Sequence, residues 1–221
     1  MSIEGRKRYG RATLSLSGDS SLPKRVLGHY IQHEEAVEAD FKGTIIDNET
    51  VGEFGEAPYS QDKEDYLARY RDTRITTVGI LAGGRLQIFA AKGVEHLADF
   101  QRNAIMFMSR LTGPLHAFNK AFEEACFYWN SGREILAIDR DIQMTRGEKK
   151  EAVVRGLGLP GYDDPFNGEG RLCVRAFQSG KVGDVIRHNR ACLLKEYGIL
   201  KKRGAREFRT KWLDLRIQSD D

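Results

Sequence analysis

The chain has 221 residues, 40% of them hydrophobic and 10% aromatic, which is enough to bury one sizeable core. Its 35 basic and 32 acidic residues give a formal net charge of +3, so the overall balance does not by itself indicate a polyanionic partner. No apolar run reaches membrane-spanning length, and the charged N-terminus lacks a signal-peptide core. The composition therefore argues against a membrane partner.

The cysteines predict a reducing compartment. Cys126, Cys173 and Cys192 are odd in number and far apart, with neither the pattern of a disulfide framework nor the paired spacing of a zinc site. A cytoplasmic location is the expectation that follows.

The absence of a Pro/Ser-rich linker predicts one domain, at 41–200, between an N-terminal extension at 1–40 and a basic C-terminal extension at 201–221. Basic residues cluster in both extensions: Arg6, Lys7, Arg8 and Arg11 in the first, and Lys201, Lys202, Arg203, Arg206, Arg209 and Lys211 at the second. Such runs are typical either of a solvated face or of nucleic-acid contact, and the sequence leaves both open.

The first half of the domain reads as a strand, a helix and a hairpin. Residues 41–47 form an apolar run that predicts a strand, and the charged segment 61–71 predicts a helix. Two further apolar runs, at 75–81 and 85–91, are separated by a Gly-Gly pair. Because glycine tolerates positive φ, this pair predicts a tight turn between antiparallel strands.

The second half alternates helices with short strands. Apolar residues recur at helical spacing or in short runs, which predicts helices at 94–111, 120–129, 148–157 and 182–197 and strands at 115–118 and 134–138. A strand, a hairpin and then alternating elements predict an α/β fold with a mixed five-stranded sheet. Its later strands run parallel and are covered by helices.

The exit of the first strand carries the most informative residues. Asp47 and Glu49 stand two positions apart, so alternation along a strand aims both carboxylates to the same side. This arrangement favours a metal site, although Asp-x-Glu is also a common pattern at a solvated strand end.

Three segments together resemble the DEDD-type 3′–5′ exonucleases of the ribonuclease H-like superfamily. Residues 45–50 (Ile-Ile-Asp-Asn-Glu-Thr) are similar to the family's first motif, in which a strand ends in Asp-x-Glu-Thr. Residues 117–123 resemble the second, an aromatic-Asn pair followed by Phe-Asp, and residues 183–192 the third, a helix carrying Tyr-Asn-x-x-Asp. The branch most similar to this chain comprises single-domain exonucleases related to the proofreading domain of family B DNA polymerases.

The resemblance implies a site in which four carboxylates hold two divalent metals, Mg²⁺ or Mn²⁺, that hydrolyse phosphodiesters. Asp47 and Glu49 match the motif, while Glu123 stands where the family has Asp. Cys192 replaces the last Asp, and a soft thiolate suits Mg²⁺ poorly and borderline metals such as zinc better. His188 replaces the family's Tyr and, as a neutral imidazole, is a candidate general base or ligand.

The third segment offers a partial replacement for the lost Asp. Asp184, His188 and Cys192 are four residues apart in turn, so they lie along one stripe of a helix and are candidates for a reshaped metal site. The alternative is structural: Asp184 caps the helix, His188 lies in a polar cleft and Cys192 fills space as a small apolar group.

The sequence thus supports two functional hypotheses. The first is a metal-dependent nuclease, a 3′–5′ exonuclease acting on single-stranded or fraying DNA or RNA ends, with Asp47, Glu49 and Glu123 as ligands and His188 assisting. The second is a catalytically degenerate ribonuclease H-like module that binds nucleic acid or a protein partner without cleavage, because the fourth carboxylate is missing.

Overall fold

One mixed sheet organises the residues that the structure, a computed structural model, describes: 24–55, 67–145 and 147–207. Its strands are β1 (Lys24–Leu27), β2 (Tyr30–Ala36), β3 (Thr44–Val51), β4 (Arg74–Ala82), β5 (Arg85–Ala91), β6 (Leu115–Ala117), β7 (Arg140–Asp141) and β8 (Arg206–Glu207). They are ordered β1-β2-β5-β4-β3-β6-β7-β8 across the sheet. From β1 to β3 neighbouring strands are antiparallel, whereas β6 runs parallel to β3 and to β7.

Helices cover both faces of this sheet. They are α1 (Leu97–Met108), α2 (Lys120–Asn130), α3 (Lys150–Gly156), α4 (Gly170–Gln178) and α5 (Val182–Arg203). Helix α5 packs across β3, β4 and β5, and α4 packs against α5 and β3. Helix α1 lies on the opposite face of β4, where Phe100 and Ala104 line a small pocket with Val78. Because both faces are covered, the central strands β3 and β4 are almost continuously buried.

Gly79 allows α5 to approach the sheet closely. It lies directly opposite Asp47 in the β3–β4 ladder. A Cβ atom there would lie 2.0 Å from Oδ1 of Asn189 and 2.9 Å from Cδ1 of Leu193. Only glycine leaves room for the Asn189 amide beside Asp47.

The structure confirms the mixed α/β fold and changes some of its details. Within the described residues the sheet has eight strands, six of them three residues or longer, instead of the five predicted. Strand β2 pairs with β5, and β1 pairs with the other side of β2. Both strands belong to the segment that the sequence assigns to an N-terminal extension. Most of the helix predicted at 61–71 lies outside the described residues.

The strand predicted at 134–138 is wrong, because α2 takes up the backbone groups that a sheet neighbour would need. The amide of Ile138 donates to Oε1 of Glu124 at 3.0 Å, and the Ile138 carbonyl accepts from Nζ of Lys120. Pairing with β6 begins only at Arg140. None of the described helices is long and apolar enough to cross a bilayer.

Candidate metal centre

Strand β3 presents Asp47 to the face covered by α5. The side-chain amide of Asn189 donates to both the backbone carbonyl and Oδ2 of Asp47, at 2.9 and 2.8 Å. These two bonds fix the carboxylate, which is only 7% exposed. Glu49 follows two residues later on the same face.

Glu123 reaches the same place from the first turn of α2. Asn119 caps this helix, since its side chain accepts from the amide of Phe122 at 3.3 Å. Because β6 pairs with β3 only as far as Ile45, the amide of Asn48 remains available, and it donates to Oε1 of Glu123 at 3.4 Å. Glu123 is 3% exposed, and its Oε2 has no hydrogen-bond partner among the described residues.

A fourth carboxylate and a lysine complete this group. Nζ of Lys150 donates to Oδ1 of Asp47 at 2.8 Å and to Oε1 of Glu196 at 2.5 Å. Lys150 begins α3, and Glu196 lies in α5. Glu196 is 1% exposed, and within the described part of the chain its Oε2 also lacks a partner. We call Asp47, Glu49, Glu123 and Glu196 the carboxylate cluster.

The cluster carries more negative charge than its surroundings balance. Burial, reinforced by the charge of Asp47, raises the pKa of Glu49 to about 7. Burial also raises the pKa of Glu123 and of Glu196 well above the usual value, again with Asp47 adding to the effect. Such crowding disfavours ionisation of all members together, and a bound divalent cation would relieve it.

His188 lies at the edge of the cluster and is 3% exposed. Its Nδ1 is 2.7 Å from Oδ1 of Asp164, and its Nε2 is 3.6 Å from Oε1 of Glu49 and 3.8 Å from Sγ of Cys192. Burial lowers the pKa of His188, but its electrostatic interactions with Cys192 and Glu49 and its hydrogen bond with Asp164 outweigh burial and raise the pKa. Without a metal, this environment favours the imidazolium over the neutral base expected from the sequence.

Asp164 is the anchor that orients His188. Its carboxylate accepts from the amides of Phe166 and Gly168 at 3.0 and 2.9 Å, and from Nζ of Lys195 at 2.6 Å. Burial alone would raise its pKa, but these bonds and His188 hold it well below the usual range. A permanently ionised Asp164 fixes the direction in which Nε2 of His188 points.

The structure brings five of the six predicted site residues together: Asp47, Glu49, Glu123, His188 and Cys192. The sixth, Asp184, lies in the first turn of α5 and pairs with Arg187 at 2.7 Å. Among the described residues it belongs to neither group of metal-ligating side chains. A step of four residues turns a helix by about 40° beyond a full turn. The row formed by Asp184, His188 and Cys192 therefore winds around α5, and Asp184, near the N-terminal end of the helix, lies away from the sheet.

Sequence reasoning missed Glu196, Lys150 and Cys173. Glu196 continues the His188–Cys192 stripe by four more residues, so the spacing alone pointed to it. Lys150 and Cys173 belong to α3 and α4, and no local pattern connects them with β3.

The donor set fits a divalent metal. Asp47, Glu49 and Cys192 offer ligand atoms within 4.8 Å of one another, as do Glu49, Cys173 and His188. Glu123 and Glu196 each have a buried oxygen with no hydrogen-bond partner in the described part of the chain, and these oxygens are further donors. Hard carboxylate oxygens suit Mg²⁺ and Mn²⁺. Searches against family models, curated proteins and solved structures returned no match.

Proposed function

We propose that this chain is a divalent-metal-dependent nuclease with a ribonuclease H-like fold, acting as a 3′–5′ exonuclease on DNA or RNA ends. The observation that carries the proposal is the carboxylate cluster itself. Buried acidic side chains converge from β3, α2 and α5, and Lys150 offsets only part of their charge. Proteins seldom bury such a group unless it binds a cation or takes part in catalysis.

The fold supports the same proposal. The strand that carries Asp47 and Glu49 lies inside the sheet, antiparallel to β4 on one side and parallel to β6 on the other. Helix α2, with the second motif, follows β6 directly, and α5, with the third, crosses the face of β3. The motifs therefore meet in one place, as the resemblance to DEDD exonucleases requires.

Asp47, Glu123 and Glu196 would hold Mg²⁺ or Mn²⁺. When bound, the metal supplies an activated water and stabilises the leaving oxygen of the phosphodiester. Glu49, on the same face of β3 as Asp47, would add a carboxylate ligand when it is ionised. The neighbouring His188 imidazolium favours the ionised form of Glu49, and Asn189 keeps Asp47 in position.

An aromatic group that includes Phe122, the residue before Glu123 in α2, supports a nucleic-acid end as substrate. The ring of Phe54 is 52% exposed and lies edge-on to Phe122, the residue before Glu123, with ring centroids 6.1 Å apart. Tyr70 packs against both rings. An exposed aromatic ring such as Phe54 offers a stacking surface for an unpaired base.

Lys150 favours a second candidate, the degenerate module that binds without cleavage. Its Nζ contacts Asp47 and Glu196 in the position where a cation would bind, and Cys192 stands where the resembling family has a carboxylate. A lysine that permanently occupies the cluster would leave a nucleic-acid-binding or protein-binding fold without hydrolysis.

A cleavage assay separates the two candidates. Single-stranded DNA and RNA oligonucleotides, labelled at the 5′ end, are incubated with the full chain in Mn²⁺ or Mg²⁺. We expect stepwise shortening that Asp47→Asn and Glu123→Gln abolish, while Asp184→Asn, whose carboxylate pairs with Arg187 outside the cluster, stays active. If the protein binds the oligonucleotides but shortens them in neither metal, the result would favour the module that binds without cleavage.

A further inference from the structure

We infer that a second metal site lies beside the carboxylate cluster and takes zinc through four side chains: Glu49, Cys173, His188 and Cys192. The inference does not depend on hydrolysis, although the two sites share Glu49. It uses two buried cysteines, Cys173 in α4 and Cys192 in α5, and a histidine whose Nε2 lies 3.8 Å from Sγ of Cys192.

The distances suit tetrahedral zinc. Nε2 of His188 is 3.6 Å from Oε1 of Glu49 and 3.8 Å from Sγ of Cys192. Zinc bonds of about 2.0–2.3 Å place tetrahedral ligand atoms about 3.3–3.8 Å apart. The separation from Glu49 is also beyond ordinary hydrogen-bond length, as expected for two ligands of one ion.

Cys173 supplies the second thiol. Helix α4 is held against α5 and β3, and Sγ of Cys173 lies within 4.8 Å of ligand atoms of both Glu49 and His188. Cys173 and Cys192 are 2% and 6% exposed. Two thiols, an imidazole and a carboxylate form a donor set that favours zinc over magnesium.

The surroundings of His188 support the same ion. Zinc-bound histidines usually donate their other ring nitrogen to a carboxylate, which fixes the ring. Here Asp164 accepts from Nδ1 at 2.7 Å and is itself held by Lys195 and by two backbone amides. The Asp164–His188 pair therefore leaves Nε2 directed towards Glu49 and Cys192, as a zinc ligand requires.

Four protein ligands make this a closed, structural site. It would link α4 and α5 to β3 and hold Glu49 next to Asp47. On binding, the thiols and Nε2 release their protons to solvent, so zinc affinity rises with pH.

Cobalt substitution tests the site in the full chain. The protein is stripped with a chelator and titrated with Co²⁺, whose bonds to thiolates give intense near-ultraviolet absorption. We expect one Co²⁺ per chain with this absorption, displaced by Zn²⁺, and a higher thermal unfolding midpoint with either ion. Cys173→Ser and Cys192→Ser should each lower cobalt affinity at least about tenfold and weaken the band.

Two further variants serve as controls. Cys126→Ser removes the third buried cysteine, which lies beside Thr73 outside both ligand groups, and should keep the full band. Asp164→Asn keeps both thiols and should cost about 10- to 100-fold in cobalt affinity, which tests the site even if a serine variant fails to fold.

The test of the zinc site can be distinguished from the test of the proposed nuclease. Glu123→Gln should remove manganese-dependent cleavage yet leave the cobalt–thiolate band unchanged. Cobalt bound without the band, a band that survives both serine variants, or no cobalt bound at all would each overturn the zinc site. Neither of the first two outcomes touches the nuclease proposal.

Discussion

The Nζ atom of Lys150 lies 2.8 Å from Oδ1 of Asp47, so the protein places its own cation in the cluster proposed to bind metal. The same nitrogen contacts Glu196, which is almost fully buried. Lys150 and a divalent ion therefore compete for the same oxygens. A metal ion can bind only if the Lys150 side chain moves away from these oxygens. If it does not move, Lys150 prevents metal binding.

Lys150→Met removes this competitor while preserving most of the aliphatic stem. We expect the metal-free variant to lose about 3 kcal/mol of folding free energy, because Asp47 and Glu196 lose their buried partner. Affinity for Mn²⁺ should rise at the same time, which calorimetric titration and thermal unfolding with and without Mn²⁺ would measure. Lys149→Met is the matched control, because Lys149 is exposed beside it. Weaker manganese binding by Lys150→Met would mean that Lys150 supports the metal instead of competing with it.

Cys192→Asp tests the departure from the resembling family's last carboxylate. Cys192 lies within reach of Asp47 and Glu49, so an aspartate there adds a hard oxygen ligand. We expect wild-type protein to cleave better in Mn²⁺ than in Mg²⁺, and the variant to shift the preference towards Mg²⁺ with higher activity. Without metal, the variant should unfold at a lower temperature, since another buried negative charge joins the cluster. A variant that melts lower, gains nothing from Mg²⁺ and cleaves nothing would contradict the prediction.

Stability of the metal-free protein should fall as the pH rises from 5 to 8. Burial raises the pKa of Glu49 from 4.5 to about 7, so between these two values the native state holds a proton that the unfolded chain has released. Stability then decreases with pH, by up to about 3 kcal/mol for such a group. Burial gives Glu124, outside the cluster, the same shift to about 7.

Thermal unfolding across this pH range, with and without Mn²⁺, checks the sign. Glu49→Gln and Glu124→Gln should each flatten the pH dependence. Mn²⁺ should restore stability at pH 8 in Glu124→Gln but less so in Glu49→Gln, because only Glu49 belongs to the cluster. A metal-free protein that becomes more stable towards pH 8 would refute the charge imbalance.

Gly79→Ala should separate α5 from the sheet. The added methyl group would lie 2.0 Å from Oδ1 of Asn189, so the amide that holds Asp47 must move. We expect a loss of about 1–3 kcal/mol in denaturant unfolding, together with weaker manganese binding. Gly156→Ala is the control: a Cβ there meets nothing within 4 Å, so the change should be neutral or slightly stabilising. Equal stability of the two variants would show that α5 tolerates the displacement.

Much of the fold could be predicted because its signals are local. The hairpin of β4 and β5 follows from two apolar runs and a Gly-Gly turn, and α2 begins at Lys120 as predicted. Strand β2 was missed because its polar composition, Tyr-Ile-Gln-His-Glu-Glu-Ala, hides a strand that lies between β1 and β5 and buries only Ile31 and His33. His33 also belongs to this strand, and its Nε2 lies 3.6 Å from Oε2 of Glu35. We assign it no catalytic role.

The candidate site was predictable only where one element carried the signal. Asp47 and Glu49 follow from strand alternation. Cys173 could not be placed, since spacing along the chain gives no sign that α4 packs beside Glu49. The contact between α4 and Glu49 depends on how the whole core packs, and no local sequence pattern reveals it.

The cluster also has a consequence for the order of folding. Its bonds join residues 75, 103 and 142 positions apart, and closing loops of that length precedes any gain from the contacts they bring. We therefore expect repulsion to keep the acidic groups apart until α5 docks on the sheet. Partly folded molecules should then bind no divalent ion, so that metal binding reports on the last step of folding.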